Sequence, residues 1–332
     1  MLQVLGRARA FALLLAIVAV PAAVAIAQQG PVGVMFESDK ARDASRAASF
    51  LLVELPAAPA AQSPLRVYLS AGDLERAFDR PEFRPAATIV PTNTDLSITA
   101  AQPATQRVLV SRIEKQPEVL RDLEAQIAAR RKQPPTNGAG EPGVLRIGVD
   151  TFVAQLPRDA ATPATASFPK AACLIATEFA TGGAVDRREL YAQDRLRRGV
   201  AACLMALDAA GAQSIVLPQM GAASSEAQTN DAMYEGQRTL MECRLINSTA
   251  GIALGIHDFA AKRRNVREIG VVQWDRELDL MFKVPPDSRA AASAQVAYRA
   301  YAEQVKDAFR RGLAGEQTTA AHVKGSCNAI LQ

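Results

Sequence analysis

Aromatic residues, histidine and cysteine are scarce in this chain, and neither sign of charge dominates it. Of 332 residues, 5% are aromatic, two are histidine and four are cysteine. So few and so widely spaced histidines and cysteines do not suit a His-rich or four-cysteine metal site. Lysine and arginine total 38 against 34 acidic residues, which is not the clustered positive charge of a nucleic-acid-binding protein. We therefore expect no metal, no cofactor and no nucleic-acid partner.

Apolar residues are plentiful. They make up 49% of the chain, whereas charged residues make up 22%. This composition argues against global disorder and allows a large buried core. The length fits one large α/β domain or two ordinary ones.

The first 27 residues have the three zones of a secretory signal peptide. Arg7 and Arg9 form a positive start, residues 11–20 are apolar, and Ala25-Ile26-Ala27 supplies the small residues that signal peptidase reads. An uncleaved membrane anchor is the alternative, but the apolar stretch is shorter than the roughly 20 residues of a span and contains Pro21. We expect cleavage after Ala27, export to the periplasm or out of the cell, and no stable membrane span afterwards.

Export would place all four cysteines in a compartment that permits disulfides. They are Cys173, Cys203, Cys243 and Cys327, and the sequence leaves their three full pairings open. Cys173 and Cys203 lie in apolar runs, which predicts buried free thiols. Cys243 and Cys327 are the candidate disulfide, because their bond would pin the C-terminal tail.

The mature chain divides into three parts. Residues 28–64 are an N-terminal extension with a helix expected at 39–55 and a Pro/Ala-rich linker. Residues 65–284 are an α/β domain, and residues 285–332 are a C-terminal helix and tail.

Apolar patterning predicts strands at 65–69, 86–90, 144–149, 171–179, 214–217, 266–273 and 278–284. It predicts helices at 108–131, 186–210, 231–264 and 288–313, the third broken near Gly251 or Gly255. Strands that alternate with helices indicate a three-layer α/β/α sandwich with a mixed, mostly parallel sheet.

Ligands of such folds bind outside the carboxyl ends of the strands. Three loops follow predicted strands there: Ser70–Asp73, Pro91–Ser97, whose proline is expected to end its strand, and Pro218–Ser225. In order and spacing they resemble the landmarks of the macro domain, an ADP-ribose-binding α/β/α module. The resemblance is carried by Gly72-Asp73-Leu74, by the segment Ile89–Leu96 and by the segment Ser214–Gly221, and it covers residues 65–284.

The resemblance implies ligand-binding roles for three residues. Asp73 would accept a hydrogen bond from the adenine amino group, Asn93 would contact the distal ribose, and the backbone at Gly221 would approach a phosphate. Residues 97–103 depart from the family, because they contain no glycine, end in a proline and lack the aspartate that hydrolytic members carry in this loop. A binding protein with degraded phosphate loops and no catalytic residue is therefore expected, rather than an enzyme.

Each of the three residues also has a structural interpretation. Asp73 would cap a short helix that Gly72-Asp73 is expected to open and that is expected to run through Phe78. Asn93 would be a turn residue after a proline, and Gly221 would be the turn after a buried strand. Both interpretations stay open at this point.

Two polar clusters elsewhere are expected to be structural. His257 neighbours Asp258, but adjacent helix residues diverge by about 100°, so the pair is not expected to form a dyad. The cluster Lys262-Arg263-Arg264 is expected to be a solvated helix end.

Three functions fit these observations. The first is an exported module that binds ADP-ribose or another nucleotide-like small molecule. The second is a hydrolase of ADP-ribosyl or phosphoester bonds on the same scaffold, with Asp73 or Asp95 as a base. The third is a cell-envelope protein that binds a protein partner and keeps a vestigial cleft. The missing glycines and aspartate of the first phosphate loop favour binding.

Overall fold

The computed structural model of the chain describes residues 51–61, 63–71, 86–93, 96, 117–133, 145–146, 150–156, 169–178, 193–220, 234–273, 302–319 and 322. The expected signal peptide, Asp73, Asp95, Gly221, Cys327 and the strand at 278–284 lie outside the described residues. Asn93 and Cys243 are described as parts of a strand and of a helix.

Seven strands form one sheet in the order β1-β2-β7-β6-β3-β5-β4. They are β1 Leu51–Leu55, β2 Leu65–Ala71, β3 Ala87–Asn93, β4 Thr151–Gln155, β5 Ala171–Glu178, β6 Ser214–Pro218 and β7 Glu268–Gln273. The inner strands, from β2 across to β5, are parallel to one another. The outer pairs β1–β2 and β4–β5 are antiparallel. The sheet is therefore mixed and mostly parallel, which confirms the predicted α/β fold class.

Helices cover both faces of the sheet. They are α1 Pro117–Arg131, α2 Gln193–Ala209, α3 Tyr234–Ala260 and α4 at residues 302–313. On one face Val119, Leu123 and Ile127 of α1 pack against strand residues such as Leu174. On the other face α2, α3 and α4 share an apolar core with strand residues such as Ile89. The three layers of the predicted sandwich are thus present.

Two glycines let α3 pack closely against α2. A β-carbon at Gly251 would lie 2.8 Å from the carbonyl oxygen of Gln193, and one at Gly255 would lie 2.7 Å from that of Arg197. A side chain at either position would therefore force the two helices apart. The expected break near these glycines is wrong, because α3 is one continuous helix in which they serve packing.

A buried disulfide joins the sheet to this helical layer. Cys173 of β5 is bonded to Cys203 of α2, with Cα atoms 5.7 Å apart, and both residues are fully buried. The prediction of two free thiols is therefore wrong. Both cysteines lie in apolar runs because the strand and the helix bury them at the same interface, where they meet. For a bond across 30 residues, the chain-entropy account gives a stabilisation of roughly 3–4 kcal/mol.

The sheet begins earlier in the chain than predicted. Residues 51–55, expected at the end of a helix, form the outer strand β1 and pair with β2 in the register Val53↔Val67. Periodicity does not distinguish a short apolar run in a strand from one in a helix. Here the pairing with β2 shows that the run is a strand. Ala58 and Ala61 of the following segment are also buried. These parts of the predicted extension thus belong to the packed domain.

Two strand boundaries also differ from the prediction. β3 continues through Pro91, because its ladder with β6 ends at Thr88 and a residue without an N–H loses no bond on that side. β4 begins at Thr151 and not at residue 144, because Asp150 ties Arg146 into a turn. The Asp150 N–H donates to the Arg146 carbonyl at 3.0 Å, and the Asp150 carboxylate accepts the Arg146 N–H at 2.9 Å.

A side-chain amide covers part of the outer strand β4. Gln126 of α1 donates from Nε2 to the Gln155 carbonyl at 2.7 Å and accepts the Gln155 N–H at 2.9 Å. The backbone groups of a strand alternate in direction, so Thr151 and Val153 face the same way as Gln155. Gln126 therefore occupies one end of the outward edge of β4.

We expect Gly255→Val to destabilise the domain by about 2–3 kcal/mol, because the new side chain would overlap the Arg197 carbonyl and Val200. Urea unfolding of the purified protein measures this change. Ala209→Val, at an exposed position of α2, is the matched control and should cost less than about 1 kcal/mol. Equal losses in the two variants would show that the helix contact does not need a glycine there.

Candidate functional site

The five parallel strands end at the same edge of the sheet. Their last residues, in sheet order, are Ala71 of β2, Gln273 of β7, Pro218 of β6, Asn93 of β3 and Glu178 of β5. Because the strands share a direction, the chain leaves all of them on one side of the molecule, here called the carboxyl edge. Two predicted loops, Pro91–Ser97 and Pro218–Ser225, begin within the last residues of the neighbouring strands β3 and β6 and continue beyond them in the sequence. The third, Ser70–Asp73, follows β2, which β7 separates from β6.

The next described helices after the neighbouring strands β3 and β6 lie on opposite faces of the sheet. After β3 this helix is α1, and after β6 it is α3. The two strands pair at Ala87↔Ile215 and Thr88↔Val216, and their described residues have no ladder beyond that point. Adjacent strands with opposite exits form the topological switch point at which open α/β sheets bind ligands. The region between the ends of β3 and β6, here called the switch-point site, is therefore the candidate site.

Of the three predicted ligand-binding residues, Asn93 is the one that the described chain includes. It ends β3 at the switch-point site and pairs with Glu178 after a register shift that follows Thr92. Such an irregularity redirects the chain at the end of a strand. Asp73 and Gly221, which lie outside the described residues, follow β2 and β6 in the sequence. The ligand-binding roles of all three side chains stay predictions.

Gln219 is a polar residue at this site that the sequence did not single out. Its backbone N–H donates to the Val272 carbonyl at 2.8 Å. Its side-chain Nε2 donates to the Leu245 carbonyl at 2.9 Å and to Thr249 Oγ1 at 2.7 Å. Gln219 therefore ties the end of β6 to β7 and to α3. Its Oε1 is buried and accepts no hydrogen bond from the described residues. The sequence could not have singled out Gln219, because nothing in it distinguishes this residue from any other glutamine in a turn.

Arg263 lies at the opposite end of the sheet and is fully buried. The expected solvated helix end is therefore wrong at this residue. Its Nη2 donates to the carbonyl of Ser63, while its Nε and Nη1 are buried and have no hydrogen-bond partner among the described residues. Burial holds the pKa of the guanidinium below its usual value, although the negative charge of Asp208 partly opposes this. Arg263 thus fastens the segment before β2 to the end of α3, far from the switch-point site.

A second polar cluster lies on the outer side of the helical layer. Asp258 of α3 accepts from Arg197 Nε at 2.5 Å and from Arg197 Nη2 at 3.0 Å. His257 Nδ1 lies 3.4 Å from Asp258 Oδ1, so the two side chains do approach each other despite their divergent directions on the helix. The His257 ring also covers Gly315, where a β-carbon would lie 2.9 Å from the ring and φ is +83°. This cluster joins α2, α3 and the end of α4, which is a structural role.

The described residues provide neither a metal site nor a membrane span. They hold no group of three or more His, Cys, Asp or Glu side chains that could bind a metal ion. Within the same described ranges, no helix is long and apolar enough to cross a bilayer.

The chain is similar to several solved structures at low identity. A mutant of the Oceanobacillus iheyensis macrodomain is 12% identical, with coverage of 78% of this chain and 98% of that one and a TM-score of 0.38. The same macrodomain with ADP gives 12% identity, coverages of 74% and 93%, and a TM-score of 0.33. A mutant of tomato leucine aminopeptidase gives 9%, coverages of 75% and 38%, and a TM-score of 0.32. Because these TM-scores lie below 0.5, the likenesses alone assign no activity to this chain.

No family model and no curated protein sequence matches the chain.

The Arg197–Asp258 pair predicts a pH-dependent contribution to stability. Burial alone would raise the pKa of the Asp258 carboxyl, but the hydrogen bonds and charges of Arg197 and His257 outweigh it and hold that pKa below its usual value. A carboxyl with a lowered folded pKa stabilises the fold above its unfolded pKa of about 4, and this contribution is lost as the pH falls through the folded value.

We therefore expect Asp258→Asn to cost about 1 kcal/mol at pH 7 and progressively less as the pH falls below about 4. Urea unfolding at a series of pH values measures the difference. The control is Asp194→Asn, which removes the more exposed Asp194–Arg198 pair and should have little effect at any pH. A cost for Asp258→Asn that does not change with pH would contradict the assignment.

Proposed function

We propose that this protein is an exported module that binds a nucleotide-like small molecule of the ADP-ribose class at the switch-point site. The observation that carries the proposal is the end of the ladder between β3 and β6 at Thr88↔Val216, together with the opposite faces on which the next described helices lie. A ligand there is held by the loops that follow the two strands.

The sequence motifs support the same position independently. The segment Ile89–Leu96 includes the end of β3, and the segment Ser214–Gly221 includes β6 and the residues after it. These are two of the three segments that resemble the macro domain. Of the residues to which the resemblance gives ligand roles, Asn93 is therefore the last residue of β3, and Gly221 comes after the end of β6 in the sequence.

The differences between these loops and the family pattern favour recognition of the nucleoside half of such a ligand over its diphosphate half. The absence of glycine at residues 97–103 removes the close backbone approach that a diphosphate needs. Adenine and ribose recognition, in contrast, depends on a carboxylate and an amide, which Asp73 and Asn93 retain. We therefore expect weak phosphate recognition and a larger contribution from the nucleoside part.

The buried Cys173–Cys203 bond supports the proposal of export. Disulfides form and persist in oxidising compartments and are rare where thiols are kept reduced. Residues 1–27, with their positive start, apolar stretch and Ala25-Ile26-Ala27 ending, would supply the export signal. A structural bond in the core fits a domain that folds after secretion.

Titration calorimetry of residues 28–332 with ADP-ribose tests the ligand. We expect a dissociation constant in the micromolar range, about −8 kcal/mol, with AMP binding better than ribose 5-phosphate. Asn93→Ala should weaken binding at least tenfold, because it removes the amide at the end of β3. Glu124→Ala, at an exposed position of α1 on one face of the sheet, is the control and should leave the affinity unchanged.

Two substitutions separate the ligand role of Asp73 from its structural alternative. Asparagine caps helices about as well as aspartate, whereas alanine does not. If the carboxylate selects the adenine amino group, Asp73→Asn and Asp73→Ala both lose affinity. If Asp73 is only a cap, Asp73→Asn keeps both affinity and stability. An absence of heat and of thermal stabilisation with millimolar ADP-ribose would overturn the proposed ligand.

Export is tested by expression with and without residues 1–27 in a bacterium that has a periplasm. With the segment present, we expect mature protein outside the cytoplasm that begins at Gln28 and contains the Cys173–Cys203 bond. Without it, we expect cytoplasmic protein whose thiols react with maleimide after unfolding. A full-length chain that stays in the cytoplasm, or that keeps its first 27 residues in the membrane, would contradict the proposal.

A further inference from the structure

The charges of this chain nearly balance in the sequence, but the fold does not distribute them evenly. The whole sequence has 38 basic and 34 acidic residues, whereas cations from distant parts of the chain lie together where the parallel strands begin. This side of the molecule, opposite the carboxyl edge, is here called the amino edge. A local excess of charge acts on a partner even where the net charge of the protein is small.

Backbone hydrogen bonds place three cations along this edge. The Arg66 N–H donates to the Arg267 carbonyl at 2.9 Å, and the Arg267 N–H donates to the Gln213 carbonyl, just before β6, at 2.8 Å. Farther across the sheet, the Lys170 N–H donates to the Ala86 carbonyl, just before β3, at 2.8 Å. Arg66 and Lys170 are four strand spacings apart, roughly 19 Å.

The end of α1 adds two cations on one face of the sheet. Gln126, near the end of this helix, is bonded to Gln155, and Gln155 pairs with Ala171, the first residue of β5. Helix α1 therefore ends at the amino edge. Its last residue, Arg131, and the next residue, Lys132, are both exposed there.

The connection from α3 to β7 adds two more cations on the other face. The buried carboxylate of Asp208, at the end of α2, accepts hydrogen bonds from the backbone N–H groups of residues 264–266 at 2.7–2.9 Å. These bonds hold the connection at the amino edge, immediately before β7. Lys262 and Arg264 are exposed there, whereas Arg263 between them is buried and offsets the charge of Asp208.

Few negative charges oppose these cations in the described part of the edge. The exposed set, here called the basic amino edge, consists of Arg131, Lys132, Lys170, Lys262, Arg264 and Arg267. Glu268 is paired with Arg66, and Asp258, in the last turn of α3, is paired with Arg197. Glu54, at the end of β1, is the remaining exposed acidic side chain among the described residues of this edge. The basic amino edge is therefore strongly positive.

Helix dipoles explain only part of this arrangement. Helices α1, α2 and α3 end at this edge, and the C-terminus of each carries about half a unit of negative charge. This charge stabilises nearby cations, which is a structural reason for Arg131 and Lys132 to lie there. Lys170 and Arg267, in contrast, immediately precede strands. The partial charges of the three helix ends are also smaller than the excess of cations, so they do not neutralise it.

We propose that the basic amino edge binds the headgroups of an anionic phospholipid membrane. Its cations lie on the sheet edge and on both helical layers, so they form a broad surface, and a membrane also presents its negative charge as a broad surface. A single-stranded nucleic acid would require aromatic side chains on which its bases stack, and the described residues of this edge expose none.

Binding in this orientation leaves the carboxyl edge facing away from the membrane. The switch-point site therefore stays accessible while the protein is bound, and membrane binding does not depend on the proposed ligand.

Co-sedimentation of the secreted, mature protein with vesicles tests the proposal. The vesicles consist of phosphatidylcholine with about one third phosphatidylglycerol, and vesicles of phosphatidylcholine alone are the uncharged reference. We expect binding to the anionic vesicles in about 0.05 M salt and loss of binding in about 0.5 M salt, where the Debye length falls to about 4 Å.

Two double variants locate the surface. Lys262→Gln with Arg264→Gln removes cations beside α3, and Lys170→Gln with Arg267→Gln removes cations of the sheet edge. Each pair should lower the partition coefficient roughly 25-fold, because one cation near an anionic membrane contributes about a factor of five. The melting temperatures should stay unchanged, since all four side chains are exposed.

The matched control is Arg121→Gln with Arg198→Gln, which removes the same net charge from exposed positions in the second turns of α1 and α2. These positions lie more than a Debye length from the amino edge, so the partition coefficient should change less than about twofold.

Three results would overturn the proposal: no sedimentation with anionic vesicles in low salt, equal sedimentation with uncharged vesicles, or equal losses in the control and in the amino-edge variants. Displacement of the protein from the vesicles by a DNA oligonucleotide at a lower phosphate concentration than that of the lipid would also overturn it, because the surface would then prefer a nucleic acid.

Discussion

The short ladder between β3 and β6 is the constraint on which the candidate site depends. The two strands share only two residue pairs, Ala87↔Ile215 and Thr88↔Val216, although each is fully paired on its other side, with β5 or with β7. Among the described residues the ladder between β3 and β6 is therefore present at the base of the sheet and absent toward its carboxyl edge. Pro91 lies beyond the end of this ladder, where the missing N–H breaks no bond to β6.

Helix α2 joins the sheet to the other helices on its face. The disulfide fixes α2 to β5, and the glycine contacts fix it to α3. The Arg197–Asp258 ion pair joins the same two helices on the outer side, and Gln193 at the start of α2 holds the chain that follows α4. Because α3 is also tied to the end of β6 through Gln219, these contacts connect Thr318, in the chain after α4, to the end of β6.

The order of elements could be predicted, because the strand at residue 65 alternates and the strands at residues 171 and 214 are apolar runs. Gly211, with φ of +83°, also ends α2 as a glycine should. The spatial order of the strands is not encoded in such runs, so the switch point could be named only from the pairing. Cys173 and Cys203 looked like any buried thiols, since apolar runs carry no information on which two of them meet. Arg263 was misassigned because a charge cluster does not reveal that one member packs inward. Asp73 and Gly221 rest on motifs alone.

The contact between Gln126 and Gln155 has a consequence for the protein in a crowded compartment. An outer strand exposes backbone groups to which another chain can add its own strand, and repeated addition leads to fibres. By occupying the N–H and C=O of Gln155, the amide leaves Thr151 and Val153 as the outward-facing residues of β4. Gln126 thereby shortens the open edge of β4 without adding charge to the strand.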